Sequence, residues 1–134
     1  MEPNSRVSTE IRVLLVEDEF LIAEWVADSL SEQGFSVRTA SNAAEALRHL
    51  ADGRFDLLFT DINLPGGMDG AALARRARQV QPDLPVIYAS ARLAVLAPGA
   101  GVPGGILLPK PYEPELAGRL IAGAVRNAKE RVPA

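Results

Sequence analysis

The sequence predicts an α/β fold: a doubly wound, five-stranded parallel sheet with helices on both faces. Three observations carry this reading. Short apolar runs such as IRVLLV, FDLLFT and LPVIYA alternate with stretches of helical character, five times along the chain. These runs are apolar nearly throughout, as in strands covered on both faces, a feature of parallel sheets. Finally, residues with reactive side chains recur at the carboxyl ends of the runs, where doubly wound sheets form their sites.

The elements follow in order. Residues 1–10 are polar and read as a tail, and 11–16 (IRVLLV) as the first strand. Ile22, Val26, Ser29 and Leu30, with Trp25 beside them, predict a helix over 19–33 that Gly34 ends. Residues 35–40 alternate like a strand. Ser41 is expected to cap a helix over about 42–50, with Glu45 at capping-box distance from Asn42. Residues 55–60 form the third strand, and Asp69 or Gly70 opens a helix that runs to about 80. Residues 84–89 and 106–108 complete the sheet. Leu116, Leu120, Ala124 and Ala128 recur at helical spacing and predict a last helix over about 114–129. Between the last two strands, ARLAVLAPGAGVPGG holds two prolines and four glycines, and predicts a short or irregular fourth helix.

The totals bound the function. A chain of 134 residues suits one domain with a full core. A net charge of −3 without a basic stripe argues against binding nucleic acid through bulk charge. The absence of cysteine excludes a disulfide framework and thiolate-bound metal. MEPNSRVSTE has no apolar run and is not a signal peptide, and no stretch reaches the ~20 apolar residues of a membrane helix. The expectation is a cytoplasmic protein without membrane contact.

In TDINLPGGMDG, Asp61 stands where a buried strand ends, and VEDE ends the first strand in the same way. In the order 2-1-3-4-5 these strands are neighbours, so Glu17, Asp18 and Asp61 converge on one edge. Clustered carboxylates favour a hard divalent cation. Mg²⁺ needs only two carboxylates and a carbonyl, for which Asn63 stands two residues past Asp61. Asp61 is then a candidate nucleophile for a phosphoryl group. Ser90 and Lys110, at the ends of the fourth and fifth strands, add a hydroxyl and an ammonium at the same edge.

The pieces VEDE, TDINLPGGMDG, YAS and LPKPY, in this order over residues 11 to about 130, resemble the receiver domain of two-component response regulators. The resemblance implies a flavodoxin-like fold, with the receiver over 11–130 and a C-terminal tail over 131–134. It implies a phosphoryl group received from a histidine kinase or histidine phosphotransfer protein. Glu17 and Asp18 are then the acidic pair for Mg²⁺, with Asp61 the phosphoacceptor and a metal ligand, and the Asn63 carbonyl a further ligand. Ser90 becomes the switch hydroxyl and Lys110 the phosphate-pairing lysine, and the Lys110–Pro111 bond is expected to be cis.

Departures from the family pattern are also legible. LPGGMDG has one glycine more than usual. The customary aromatic of the fifth strand is replaced by Leu107, and Tyr112 is aromatic in a different place. A response by ordering of 91–105 is therefore expected in place of a ring flip. No output domain follows the receiver, which implies a stand-alone regulator, shuttle or sink. Two other functions compete. A docking module without phosphotransfer is expected to lose one of the site residues, and none is lost. A small-molecule phosphatase or phosphotransferase is expected to carry a second aspartate two residues past the first, where Asn63 stands. His49 reads as a surface histidine, Trp25 as packed or half-packed on the first helix, and Arg75, Arg76 and Arg78 as a solvated face.

Overall fold

A computed structural model describes residues 10–91 and 101–131. The expected segments 1–9, 132–134 and the greater part of the irregular fourth helix (92–100) lie outside the described residues. The strands are β1 (Arg12–Val16), β2 (Ser36–Ala40), β3 (Leu57–Asp61), β4 (Val86–Ser90) and β5 (Ile106–Pro109). The helices are α1 (Phe20–Glu32), α2 (Ala43–Asp52), α3 (Gly70–Val80) and α4 (Pro114–Arg131). All pairings are parallel, in the order β2-β1-β3-β4-β5. Among the described residues, no helix is long and apolar enough to cross a membrane.

The central strands β3 and β4 are buried along their whole length, because helices cover both faces. Strand alternation divides their side chains into two cores. Leu14, Val16, Leu58, Val86 and Tyr88 pack with Ala46 and Leu50 of α2 and with Leu73 and Ala77 of α3. Val13, Leu15, Leu57, Phe59 and Ile87 pack with Val26 and Leu30 of α1 and with Ala117, Ile121 and Val125 of α4. Each large apolar side chain buried in this way contributes about 1.5–3 kcal/mol.

Local chemistry sets the element ends. Gly34, at φ +105, closes α1. Its N–H bonds the Ser31 carbonyl at 3.0 Å and the Phe35 N–H bonds that of Leu30 at 3.0 Å, the double bond of a Schellman ending. At α2 the cap is Asn42, one residue later than the Ser41 expected. Its side chain accepts from the Glu45 N–H at 2.8 Å, while the Glu45 carboxylate takes the Ser41 N–H at 2.8 Å and its hydroxyl at 3.0 Å. The Ser41 backbone bond holds the Glu45 carboxyl below its usual range despite some burial. Asp69 caps α3 by accepting from Ala72.

The expected face of α1 is borne out at Val26 and Leu30, with Ile22 packed against the core, whereas that of α4 is turned by one residue. On α4 the buried stripe is Ala117, Ile121 and Val125, with Leu116 38% exposed. Both stripes keep the same spacing. Leu120 and Ala124 of the expected stripe flank the buried one, partly buried against the same core. On α1 the buried residues are Ala23, Val26 and Leu30, while Trp25 is 57% exposed and does not pack into the core. Phe20 and Leu21 are exposed as well.

Gln81, just past α3, is buried and unforeseen from the sequence. Its amide accepts from the Phe55 N–H at 3.0 Å and donates to the Phe55 carbonyl at 2.9 Å, standing in for a strand neighbour ahead of β3. Gln81→Ala strands both groups. It is expected to cost about 1–3 kcal/mol, read as a lower denaturation midpoint with an unchanged slope.

Candidate functional site

The site lies at the carboxyl ends of β1, β3, β4 and β5. Glu17, Asp18 and Asp61 each offer a carboxylate oxygen within 4.8 Å of the others. Glu17 and Asp61 are buried and Asp18 is exposed. Lys110 reaches in from the end of β5. Its Nζ donates to Glu17 Oε1 at 2.9 Å and to Asp61 Oδ2 at 3.1 Å. The other Glu17 oxygen accepts from the Glu19 N–H at 3.1 Å, which fixes that side chain.

The backbone holds these groups in place. The Glu17 N–H bonds the Ala40 carbonyl at 3.0 Å, and the Ile62 N–H bonds that of Ala89 at 3.0 Å. Gly70, the first residue of α3, donates to the Ile62 carbonyl at 2.7 Å. A Cβ there falls 2.1 Å from the Asp61 carbonyl oxygen and 2.9 Å from the Ile62 Cα. Only glycine lets the helix start this close to the end of β3. The sequence showed Gly70 as a helix opener, and its contact with Asp61 was not legible.

Electrostatics follow from this crowding. Burial pushes the Asp61 carboxyl above the usual range. The Lys110 hydrogen bond and charge pull it down, and Glu17 and Asp18 add to the rise. For Lys110, burial works against the charged form, but its bonds to Glu17 and Asp61 outweigh it and the ammonium is held more firmly than usual. Three carboxylates face one ammonium, which leaves a formal charge of −2. This all-oxygen set of matching charge suits a hard divalent cation, and it is the acidic triad typical of a receiver Mg²⁺ site.

The remaining predicted residues divide. Ser90 is buried at the end of β4, and its carbonyl accepts from the Lys110 N–H at 2.7 Å. The Lys110–Pro111 bond is cis. Asn63 is exposed in the loop after β3, where Gly66 and Gly67 adopt φ of +92 and +88. Tyr112 stacks obliquely on Phe59, with ring centroids 5.5 Å apart. Burial, then the charges of Glu17 and Asp61, raise its hydroxyl pKa far above normal. Leu107 lies beside Tyr88 in the β4–β5 register and is 40% exposed. His49 also lies elsewhere: one ring nitrogen is 3.1 Å from the Thr39 carbonyl, the other 3.4 Å from Arg38.

The family model described as the response regulator receiver domain matches residues 13–115. This chain belongs to the response regulator receiver family. Response regulator MprA of Mycobacterium sp. (strain KMS) is 34% identical over 126 residues, which cover 92% of this chain and 54% of that protein. The chain thus spans about half the length of the curated relatives it matches. A receiver protein from Sinorhizobium medicae WSM419 superposes with a TM-score of 0.83 at 29% identity, over 90% of this chain and 98% of that one. The chemotaxis protein CheY4 of Vibrio cholerae gives 0.79 at 26% identity, over 87% and 99%. The receiver thus has a CheY-like flavodoxin fold. Such a domain is a phosphoacceptor module of two-component systems, not an enzyme in the ordinary sense, and the family implies a histidine kinase as partner.

Proposed function

We propose that this receiver, over residues 11–130, accepts a phosphoryl group on Asp61. The donor is the phosphohistidine of a histidine kinase or phosphotransfer protein, and the receiver acts as a cytoplasmic regulator, shuttle or sink. One observation carries the reading. The buried Asp61 carboxylate has one oxygen on Lys110 at 3.1 Å and stands within 4.8 Å of Glu17 and Asp18.

The chemistry balances simply. An Asp61 oxygen forms the new P–O bond as the N–P bond of the donor breaks, and the departing imidazole takes up a proton from solvent. Lys110, already seated on Asp61, follows the charge onto the phosphoryl oxygens. The Ser90 hydroxyl supplies a second donor. Mg²⁺, held by Glu17, Asp18, Asp61 and the Asn63 carbonyl, supplies neutralising charge for the phosphoryl group when bound.

The test is an intact mass after incubation with Mg²⁺ and acetyl phosphate. The reading expects a gain of about 80 Da, and an unchanged mass contradicts it. A second expectation needs no phosphate. Millimolar Mg²⁺ raises the melting temperature, because the cation binds the folded cluster and not the unfolded chain, worth about 2.7 kcal/mol at a hundredfold excess over Kd. EDTA removes the gain, and Asp18→Asn abolishes it. A melting temperature indifferent to Mg²⁺ contradicts the assigned ligands.

A further inference from the structure

Among the described residues β2 is an edge strand of the sheet, so its outer side carries backbone groups that face no strand. The hydrogen bonds to β1 identify them. The Ser36 N–H bonds the Ile11 carbonyl at 2.8 Å, and the Ala40 carbonyl takes the Glu17 N–H at 3.0 Å. Residues 36, 38 and 40 therefore turn their peptide groups toward β1, and Val37, Thr39 and Ser41 turn theirs outward. In a parallel pair, one residue of an added strand donates to an outward carbonyl and accepts from the outward N–H two residues on. At the end of this edge those two groups are the Thr39 carbonyl and the Ser41 N–H.

Both are taken by side chains one turn apart on α2. The Glu45 carboxylate accepts from the Ser41 N–H at 2.8 Å, and His49 Nε2 lies 3.1 Å from the Thr39 carbonyl oxygen. A carbonyl only accepts, so Nε2 carries the hydrogen. Nδ1 is then the acceptor, and it faces Arg38 Nη1, which only donates, at 3.4 Å. Nε2 also stands 3.7 Å from Glu45 Oε2. Glu45 thus supplies the acceptor and His49 the donor that one residue of a further strand would supply.

We propose that the Glu45–His49 pair stands in for a sixth strand at β2, and that His49 keeps this edge from pairing with a second copy of the chain. A second copy is the occupant that the edge itself specifies. Two identical edges offer each other the same alternating row of donors and acceptors about a two-fold axis. Pairing across Thr39 in either direction needs its carbonyl, and His49 must leave it first. The role of His49 is separable from helix capping, because Glu45 and Asn42 alone make the α2 cap. It is also independent of phosphorylation at Asp61.

Sedimentation of the full chain from micromolar to millimolar concentration tests the proposal. His49→Ala is expected to self-associate with a constant about 30-fold above the wild type, because neither copy gives up a hydrogen bond on pairing. The variant folds, since His49 lies outside both cores and alanine is the better helix former. His49→Gln, which keeps an N–H donor, is expected to stay closer to the wild type. Amide exchange then locates the contact: in associated His49→Ala the Val37 and Thr39 amides are protected, and in the wild type at the same concentration they are not. An association constant equal to that of the wild type, no association by either protein, or association that leaves Val37 and Thr39 unprotected overturns the proposal.

Discussion

Asp61→Asn is expected to take up no phosphate from acetyl phosphate while melting a few degrees higher than the wild type in the absence of Mg²⁺. Loss of uptake follows because the amide oxygen that replaces the carboxylate beside Lys110 is a poor nucleophile. The gain in stability has a separate cause. The Asp61 pKa is raised in the fold, first by burial and then by Glu17 and Asp18 against the pull of Lys110. A carboxyl raised on folding is favoured in its protonated form, so its ionisation costs stability at neutral pH. The penalty is relieved as pH falls from above the folded pKa toward the unfolded one. Asparagine removes it at every pH, and Lys110 keeps Glu17 at 2.9 Å. The stability difference between variant and wild type is therefore expected at pH 7, to shrink as acid protonates Asp61. Thermal melts across that range check the sign. A variant that is less stable than wild type at pH 7 means that the Lys110 contact outweighs the crowding.

Gly70→Ala is expected to damage fold and site together. The added methyl meets the Asp61 carbonyl oxygen at 2.1 Å and the Ile62 Cα at 2.9 Å. Both are backbone, and no rotamer can clear them. Either α3 moves off the end of β3, lengthening the 2.7 Å bond from Gly70 to Ile62, or β3 shifts and takes Asp61 with it. Overpacking of this kind costs about 3 kcal/mol, or roughly 10 °C in a domain of this size. Phosphate uptake slows as well, because the acceptor is displaced from Lys110. A change at an exposed glycine such as Gly66 offers no such backbone clash, although its φ of +92 disfavours alanine locally. Comparison of the two variants separates collision from turn strain: Gly66→Ala lowers the melting point without slowing uptake. Equal uptake by Gly70→Ala and wild type contradicts the role given to this contact.

The parallel α/β layering and the carboxylate edge were legible because sequence expresses them directly, whereas the strand order came with the family resemblance. Runs buried on both faces are apolar throughout, and a charge at the end of such a run is conspicuous. Asp61, Glu17, Asp18 and Lys110 met as expected for that reason. What escaped depends on close packing. The Ala117 stripe of α4 and the Leu116 stripe have the same period, and only fit against the sheet selects between them. Trp25 has the composition of a core residue but points outward. Gln81 and Tyr88 look like a polar loop residue and one more apolar strand position. Their roles come from partners far along the chain, Phe55 and Val102, which no local pattern reveals. Gly70 reads as a helix start, and its near-contact with Asp61 exists only once β3 and α3 are docked.

The measurement closest to the central claim is the position of the phosphoryl group. Wild-type protein is treated with acetyl phosphate and Mg²⁺, reduced with borohydride, digested and sequenced by mass spectrometry. Borohydride converts an aspartyl phosphate to homoserine and leaves a free carboxylate unchanged. The account predicts homoserine at position 61 and nowhere else, dependent on both reagents. Homoserine at position 18, or a phosphoryl group recovered on His49 or Ser90 with Asp61 unmodified, would contradict it.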